Sequence, residues 1–438
     1  MNILLSMESV LFEVNFLKNI IVVSVNICEE PSTFTKRGIK MKILKNCRLI
    51  PELSGNFNEG LADLVIDGRH IREILKAGSD IYRSVDFVDM KGMTVLPGFF
   101  DLHAHLMFKD QDYYASMARS QNEYLIDCIE HAQVYLKHGY TTIRDAGNDF
   151  YAGITVRDAI NRGIVQGARV ITSGKIVSPV AKGNSSFGSL YWEVDDPREM
   201  MHVVRTEVAK GVDFVKYMVT GAVLNEGGVP GELITSAEEV KAITSAAESL
   251  GTYIAAHCHG NEGIKVAIRN GVRTIEHASY MDEECVELML QRKDFVATVP
   301  TASIAYTLYK ELYAGGVLPE FVEKSRLACA QMLKGICMCE EAGVAVGWGT
   351  DLDMQMFDKY PGLEFKARSE FGLDNMTILK EATITSAIIA GIADKTGSIE
   401  VGKFADLVVI DGNPDEDMTV MNNLPKFVYK EGTLVAQN

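Results

Sequence analysis

Seven residues of the 438-residue chain have types and placements suited to metal chemistry. His103 and His105 stand in "DLHAHL", His257 and His259 in "AAHCHG", His277 in "TIEHASY", Asp351 in "GWGTD" and Lys216 in "DFVKYMV". Strand side chains alternate, so each H-x-H pair turns both imidazoles to one face and Ala104 or Cys258 to the other. A single strand-end histidine reads as a hydrogen-bonded structural residue, and Asp351 alone as a helix N-cap. The set carries the meaning: five of nine histidines, an aspartate and a lysine gather at the ends of apolar runs. Imidazole plus carboxylate suits Zn²⁺ and similar divalent ions.

Lys216 is the awkward member. An ammonium has no lone pair to give a metal, and burying it unpaired in an apolar run is costly. A neutral amine can instead add carbon dioxide and become a carbamate, an anion able to bridge two cations that stabilise it. The plain alternatives are a lysine snorkelling from the strand end or paired with a carboxylate. Beside the histidines, the carbamate is the favoured reading.

These residues need a scaffold of strands alternating with helices. Eight candidate strands follow one another: "TVLPGFFDLHAHL", "TTIRDAG", "RVITSG", "DFVKYMV", "TYIAAHCHG", "RTIEHASY", "FVATVPT" and "VAVGWGTD". Two intervening helices are clearly bounded. Asp196, Pro197 and Glu199 open one that Gly211 can end, and Ser236 with Glu239 gives a capping-box spacing for the other. In the second, Val240, Ile243, Ala247 and Leu250 form the expected buried stripe. Eight such units suggest an α/β chain folded as a (β/α)8 TIM barrel, with the polar residues at the C-terminal ends of its strands. Residues 41–96 and 399–438 are strand-rich instead. Residues 1–40 are apolar but interrupted by Glu13 and Lys18, and read as an extension or an over-called start.

The motifs "PGFFDLHAHL", "DFVKYM", "AAHCHG", "TIEHASY", "GTD" and "GSIEVGKFADLVVIDGNP" resemble the amidohydrolase superfamily over residues 41–438. The chain is most similar to its prolidase-type dipeptidases and ochratoxin-hydrolysing amidases. The resemblance implies a barrel over 97–398, a small β-sandwich from 41–96 and 399–438, and two divalent ions, usually zinc. Carried across, His103, His105 and Asp351 hold one ion and His257 and His277 the other, bridged by carboxylated Lys216 and a hydroxide. Asp351 is then the catalytic base and acid. Tyr253 and His259 match positions that bind the substrate's α-carboxylate, although Tyr253 reads equally as a core aromatic. "SGKIVSPVAKGNSSFG" departs from the family pattern after the third strand. Arg144 either contacts substrate or pairs with Asp145. The Gly-rich stretch Thr220–Glu232 is either a loop over the site or a long connector.

The expected activity is hydrolysis of the amide bond of a dipeptide or N-acyl amino acid. A cyclic-amide hydrolase or deaminase on the same scaffold is the rival, and Lys216 weighs against the mononuclear deaminases. A non-catalytic metal-binding barrel predicts loss of a ligand, and all six are present. A net charge of −16 opposes a phosphate-backbone binder, and no basic amphipathic helix suggests a membrane surface. Eight scattered cysteines without a C-x-x-C suggest reduced thiols in a cytoplasmic protein. The superfamily resemblance favours a homo-oligomer. "GSIEVGKF" nearly spells a phosphate loop, but Phe404 replaces its Ser/Thr and a strand follows.

Overall fold

The protein is described from a computed structural model, which covers residues 41–438 apart from 80, 83, 223–230, 293–295 and 314–318. The N-terminal stretch 1–40 and most of the Gly-rich stretch after Lys216 therefore lie outside the described residues. Residues 41–438 form one compact unit of mixed α/β structure. No helix among the described residues is long and apolar enough to cross a membrane.

Strands β1 (Lys42–Cys47), β2 (Ala62–Asp67), β3 (His70–Lys76) and β4 (Asp86–Asp89) make one sheet, in the order β3-β2-β1-β4. Next come β5 (Thr94–Pro97), β6 (Phe99–Ala104), β7 (Tyr140–Asp145) and β8 (Arg169–Thr172), of which β6, β7 and β8 form a parallel sheet. They are followed by β9 (Ile176–Ser178), β10 (Tyr191–Glu193), β11 (Val215–Met218), β12 (Ile254–Cys258), β13 (Thr274–His277) and β14 (Ala297–Val299). These six pair in parallel in the order β10-β9-β11-β12-β13-β14. β15 (Leu407–Ile410), β16 (Phe427–Lys430) and β17 (Thr433–Gln437) join β5 in an antiparallel sheet. The first and last of these sheets share a hydrophobic cluster in which Leu44, Leu64 and Ile71 meet Leu407, Val409 and Tyr429.

Seven of the eight expected runs are strands. The eighth, around 344–351, has no regular strand but hydrogen-bonds on both sides. The amides of Thr298 and Gly347 donate to Ala345 and Thr298 carbonyls, and Leu102 N–H donates to the Trp348 carbonyl at 2.7 Å. The Asp351 amide donates to the His103 carbonyl at 2.8 Å. Gly349 makes this approach possible, since an added Cβ would lie 2.8 Å from His103 Cβ. The stretch after the third strand supplies the short strand β9, which pairs Ile176 to Lys216, and β10 follows it.

Both helix boundaries read from the sequence are present. Asp196 caps Pro197–Lys210 through Arg198 and Glu199 N–H, and Gly211 ends it at φ 96°. Ser236 and Glu239 complete a capping box on Ala237–Ser249. Val240, Ile243 and Ala247 are buried, whereas Leu250 caps the helix and is 42% exposed, because the chain turns there. The near-phosphate loop is a turn into β15, where Lys403 bonds Ser398 Oγ at 2.6 Å.

Candidate metal centre and catalytic cavity

The seven chemistry-bearing residues converge. His103 lies in β6, Lys216 in β11 and His257 in β12, His277 ends β13, His105 and His259 sit just past β6 and β12, and Asp351 follows the extended run 344–350. The candidate ligand atoms of His103, His105 and Asp351 all lie within 4.8 Å of one another, and so do those of His257, His259 and His277. The two clusters touch: the His277 ring centroid is 4.6 Å from that of His103 and 4.5 Å from that of His257. Lys216 Nζ lies 3.1 Å from His103 Nε2. His105 Nε2 is 3.5 Å from Asp351 Oδ1.

Almost every imidazole is held from behind. His103 Nδ1 donates to Glu276 Oε2 at 2.8 Å and His105 Nδ1 to the Gly147 carbonyl at 2.9 Å. His259 Nδ1 bonds Ser279 Oγ at 2.8 Å, and His277 Nδ1 bonds Thr301 Oγ1 at 2.9 Å. His257 is tied to the Gly221 backbone. Fixing Nδ1 aims Nε2 at the centre, as metal-binding histidines require. The backbone is strained at the same place. His277, Ala278 and Asp351 adopt φ of 65°, 51° and 53°, a region non-glycine residues rarely enter and which clusters at functional sites.

Burial keeps these imidazoles neutral. It drives His103, His257 and His277 well below the ordinary range, with Lys216 and neighbouring imidazoles adding to the effect. His105 is pushed down to about 4 and His259 to about 3, by burial and then Lys216. Burial also lowers Lys216 and raises Asp351. A lysine so placed is more readily the neutral amine that carbamate formation needs.

The residues fit a metal pair. His257 Nε2 is buried without any hydrogen-bond partner among the described residues. An unmet acceptor clustered with the neutral imidazoles of His259 and His277 is what a divalent cation would satisfy.

Glu276 is the functional residue missed in the sequence. Its carboxylate is fully buried and bonds His103 on one oxygen and Arg144 Nη2 on the other at 2.7 Å, where Thr274 Oγ1 also donates at 2.6 Å. Burial alone would raise its pKa, but the Arg144 charge and the His103 bond hold it well below the usual range.

Two expected substrate contacts stand elsewhere. Arg144 is fully buried, bonded to Glu276, Thr274 and the Leu102 carbonyl, and lines no part of the cavity. Nor does it pair with Asp145, which bonds Leu106, Thr172 and Asn148. Tyr253 precedes β12, four residues before His257, so it lies roughly 13 Å back along the chain at about 3.3 Å per residue. It stacks on Phe214 and carries Arg273 over its ring at the far end of the strands. His259, by contrast, does line the cavity.

The cavity opens over this centre and encloses about 850 Å³, counting solvent at its mouth. Its outer wall is mainly apolar, with Phe108, Phe187, Leu190, Ile304 and Met332 among its residues. Asp351, 21% exposed at its side chain, faces it.

Residues 94–435 match the Amidohydrolase family. The chain belongs to that family. It is 28% identical over 382 residues to the ochratoxinase of Aspergillus niger, covering 78% of this chain and 75% of that one. The crystal structure of A. niger ochratoxinase superposes with a TM-score of 0.77 at 27% identity, over 90% of this chain and 95% of that one. A Xaa-Pro dipeptidase with bound methionine gives 0.79 at 30% identity, over 90% and 99% of the two chains. A prolidase complexed with N-methylphosphonate-L-proline gives 0.80 at 30% identity, over 91% and 100%.

Proposed function

We propose that this amidohydrolase uses two divalent metal ions to cleave the amide bond of a dipeptide or an N-acyl amino acid. The observation that carries the reading is the orphaned His257 Nε2 among imidazoles whose other nitrogens are already held. His103, His105 and Asp351 would hold one ion, His257 and His277 the other, with Lys216 as a carbamate between them. The donor set favours zinc. When bound, the ions would activate a water and polarise the scissile carbonyl.

The chain's own residues do the rest. Asp351 takes the proton of the attacking water and passes it to the departing amine nitrogen as the C–N bond breaks. Glu276 keeps the His103 proton on Nδ1, leaving Nε2 as a donor atom. His259, steadied by Ser279, meets the substrate's carboxylate. The apolar wall excludes bulk water and strengthens each of these interactions.

The fold supports this reading. We infer that β6, β7, β8, β11, β12, β13, β14 and the extended run 344–350 make a closed (β/α)8 barrel. Hydrogen bonds from that run to both Thr298 and Leu102 would close it. The hydrophobic cluster shared by 41–96 and 399–438 supports a composite β-sandwich beside it.

The test is a hydrolysis screen across N-acyl amino acids, dipeptides and cyclic imides. Turnover confined to the first two classes is expected. Turnover confined to cyclic imides would move the chain to the cyclic-amide hydrolases.

A further inference from the structure

Among the described residues that line the cavity, two carry a buried side-chain polar atom without a hydrogen-bond partner: His257 at Nε2 and Ser325 at Oγ. The first is explained by the metal-binding reading. The second is not.

Ser325 is 1% exposed and belongs to the helix Pro319–Ala342. It lines the cavity together with Ala328 and Met332, three and seven positions further on, so one helical face forms this wall. The helix Ala302–Tyr309 adds Ile304 and Leu308 beside it. The hydroxyl thus stands in apolar surroundings. A helical hydroxyl commonly satisfies itself on the carbonyl one turn back. Thr206, Thr244 and Thr383 do so here, bonding the carbonyls of His202, Val240 and Leu379 at 2.9, 3.0 and 2.6 Å. Ser325 does not. The hydroxyls of Ser279 and Thr301, also in the cavity, are occupied by His259 and His277.

A buried hydroxyl without a partner destabilises the free protein, and a ligand atom that meets it recovers that loss as affinity and selectivity. We propose that Ser325 is a specificity residue. Its hydroxyl donates a hydrogen bond to an oxygen on the part of the substrate seated against helices 302–309 and 319–342. The preferred substrate therefore carries there an apolar group bearing one oxygen. This rests on the amide-hydrolysis reading above.

The experiment uses the full chain and matched pairs of N-acyl amino acids that differ by one oxygen. One pair differs in the acyl group and the other in the leaving amino acid, as tyrosine differs from phenylalanine. The wild type should favour the oxygen-bearing member of one pair by about tenfold in kcat/KM. Ser325→Ala should abolish that preference through KM, with kcat within about twofold. Its melting temperature should stay or rise, because the hydroxyl has no partner in the protein to lose. A structural hydroxyl would give the opposite, a fall in melting temperature with the preference intact. Ser325→Cys, which keeps the size but only a weak donor, should fall between the two.

No oxygen preference in the wild type, or a preference kept in Ser325→Ala, overturns the proposal. Calorimetric binding of the same compounds separates the two failures. A protein that binds them with the Ser325-dependent preference but cleaves none refutes hydrolysis alone. A protein that binds none of them refutes both.

Discussion

Replacing Glu276 by glutamine removes one charge from a buried trio while nearly preserving its shape. Glu276 Oε1 accepts from Arg144 at 2.7 Å and Thr274 at 2.6 Å, and Oε2 accepts from His103 Nδ1 at 2.8 Å. In the glutamine one of these oxygens becomes an NH₂ group. If it faces Arg144, donors oppose each other where no solvent reaches, and a broken buried ion pair costs about 3–5 kcal/mol. If it faces His103, the imidazole must accept at Nδ1 and carry its proton on Nε2, the atom now 3.1 Å from Lys216 Nζ. That removes the lone pair a metal needs, and losing such an orienting partner typically costs about 10–100-fold in metal affinity. Denaturant unfolding of metal-free protein reads the first effect, and zinc titration against a competing chelator reads the second. Glu276→Gln should show at least one of them at full size. A variant within about 1 kcal/mol of wild-type stability and about twofold of its zinc affinity would refute the argument.

Other outcomes follow from the same geometry. Asp351→Ala should lower kcat by about 10²–10⁴-fold while much of the metal stays bound, checked by elemental analysis beside turnover. Lys216→Ala should lose metal and activity together, and a short carboxylic acid in solution should restore part of the rate; an intact, fully active variant would show Lys216 to be a plain lysine. Tyr253→Phe should leave KM within about twofold of wild type, because the side chain stands at the opposite end of its strand. Burial pushes His131 down to about 4, with its ring bonded to the Leu106 carbonyl. The unfolded chain therefore binds the extra proton first, so stability should be full above about pH 6.5 and fall towards pH 4. For a group this buried, the loss is on the order of 3 kcal/mol. Acid titration of His131→Gln should be correspondingly shallower.

Much of the candidate site could be read before any coordinates, because strand alternation is a strong constraint. Two H-x-H pairs, a lysine inside an apolar run and an aspartate after "GWGT" needed only the period of two to point at one centre. The helix caps at Asp196 and Ser236 were legible for the same local reason. Glu276 was not. Alternation sends it to the face opposite His277, yet Glu276 bonds His103 and the His277 ring lies 4.6 Å from the same imidazole. The left-handed backbone at His277 releases the last strand residue from alternation, and nothing in "TIEHASY" announces that φ. Arg144 misled for a related reason. A strand-end arginine suggests a substrate contact, but its partner Glu276 lies 132 residues away in sequence. Tyr253 shows the limit of parity: it shares a face with His257 and His259, but distance along the strand removes it from the cavity. Ser325 lies on a helix with no motif around it, and only the packing of two helices over the cavity exposes its unmet hydroxyl.

The central claim is a metal pair that this chain's residues hold and need. Its most direct test is metal content per chain measured on the same samples as amide turnover, through chelation and stepwise return of zinc. Two divalent ions per chain are expected at full activity, with turnover lost on chelation and regained as the second ion returns. Full turnover in protein holding clearly fewer than two ions per chain would contradict it.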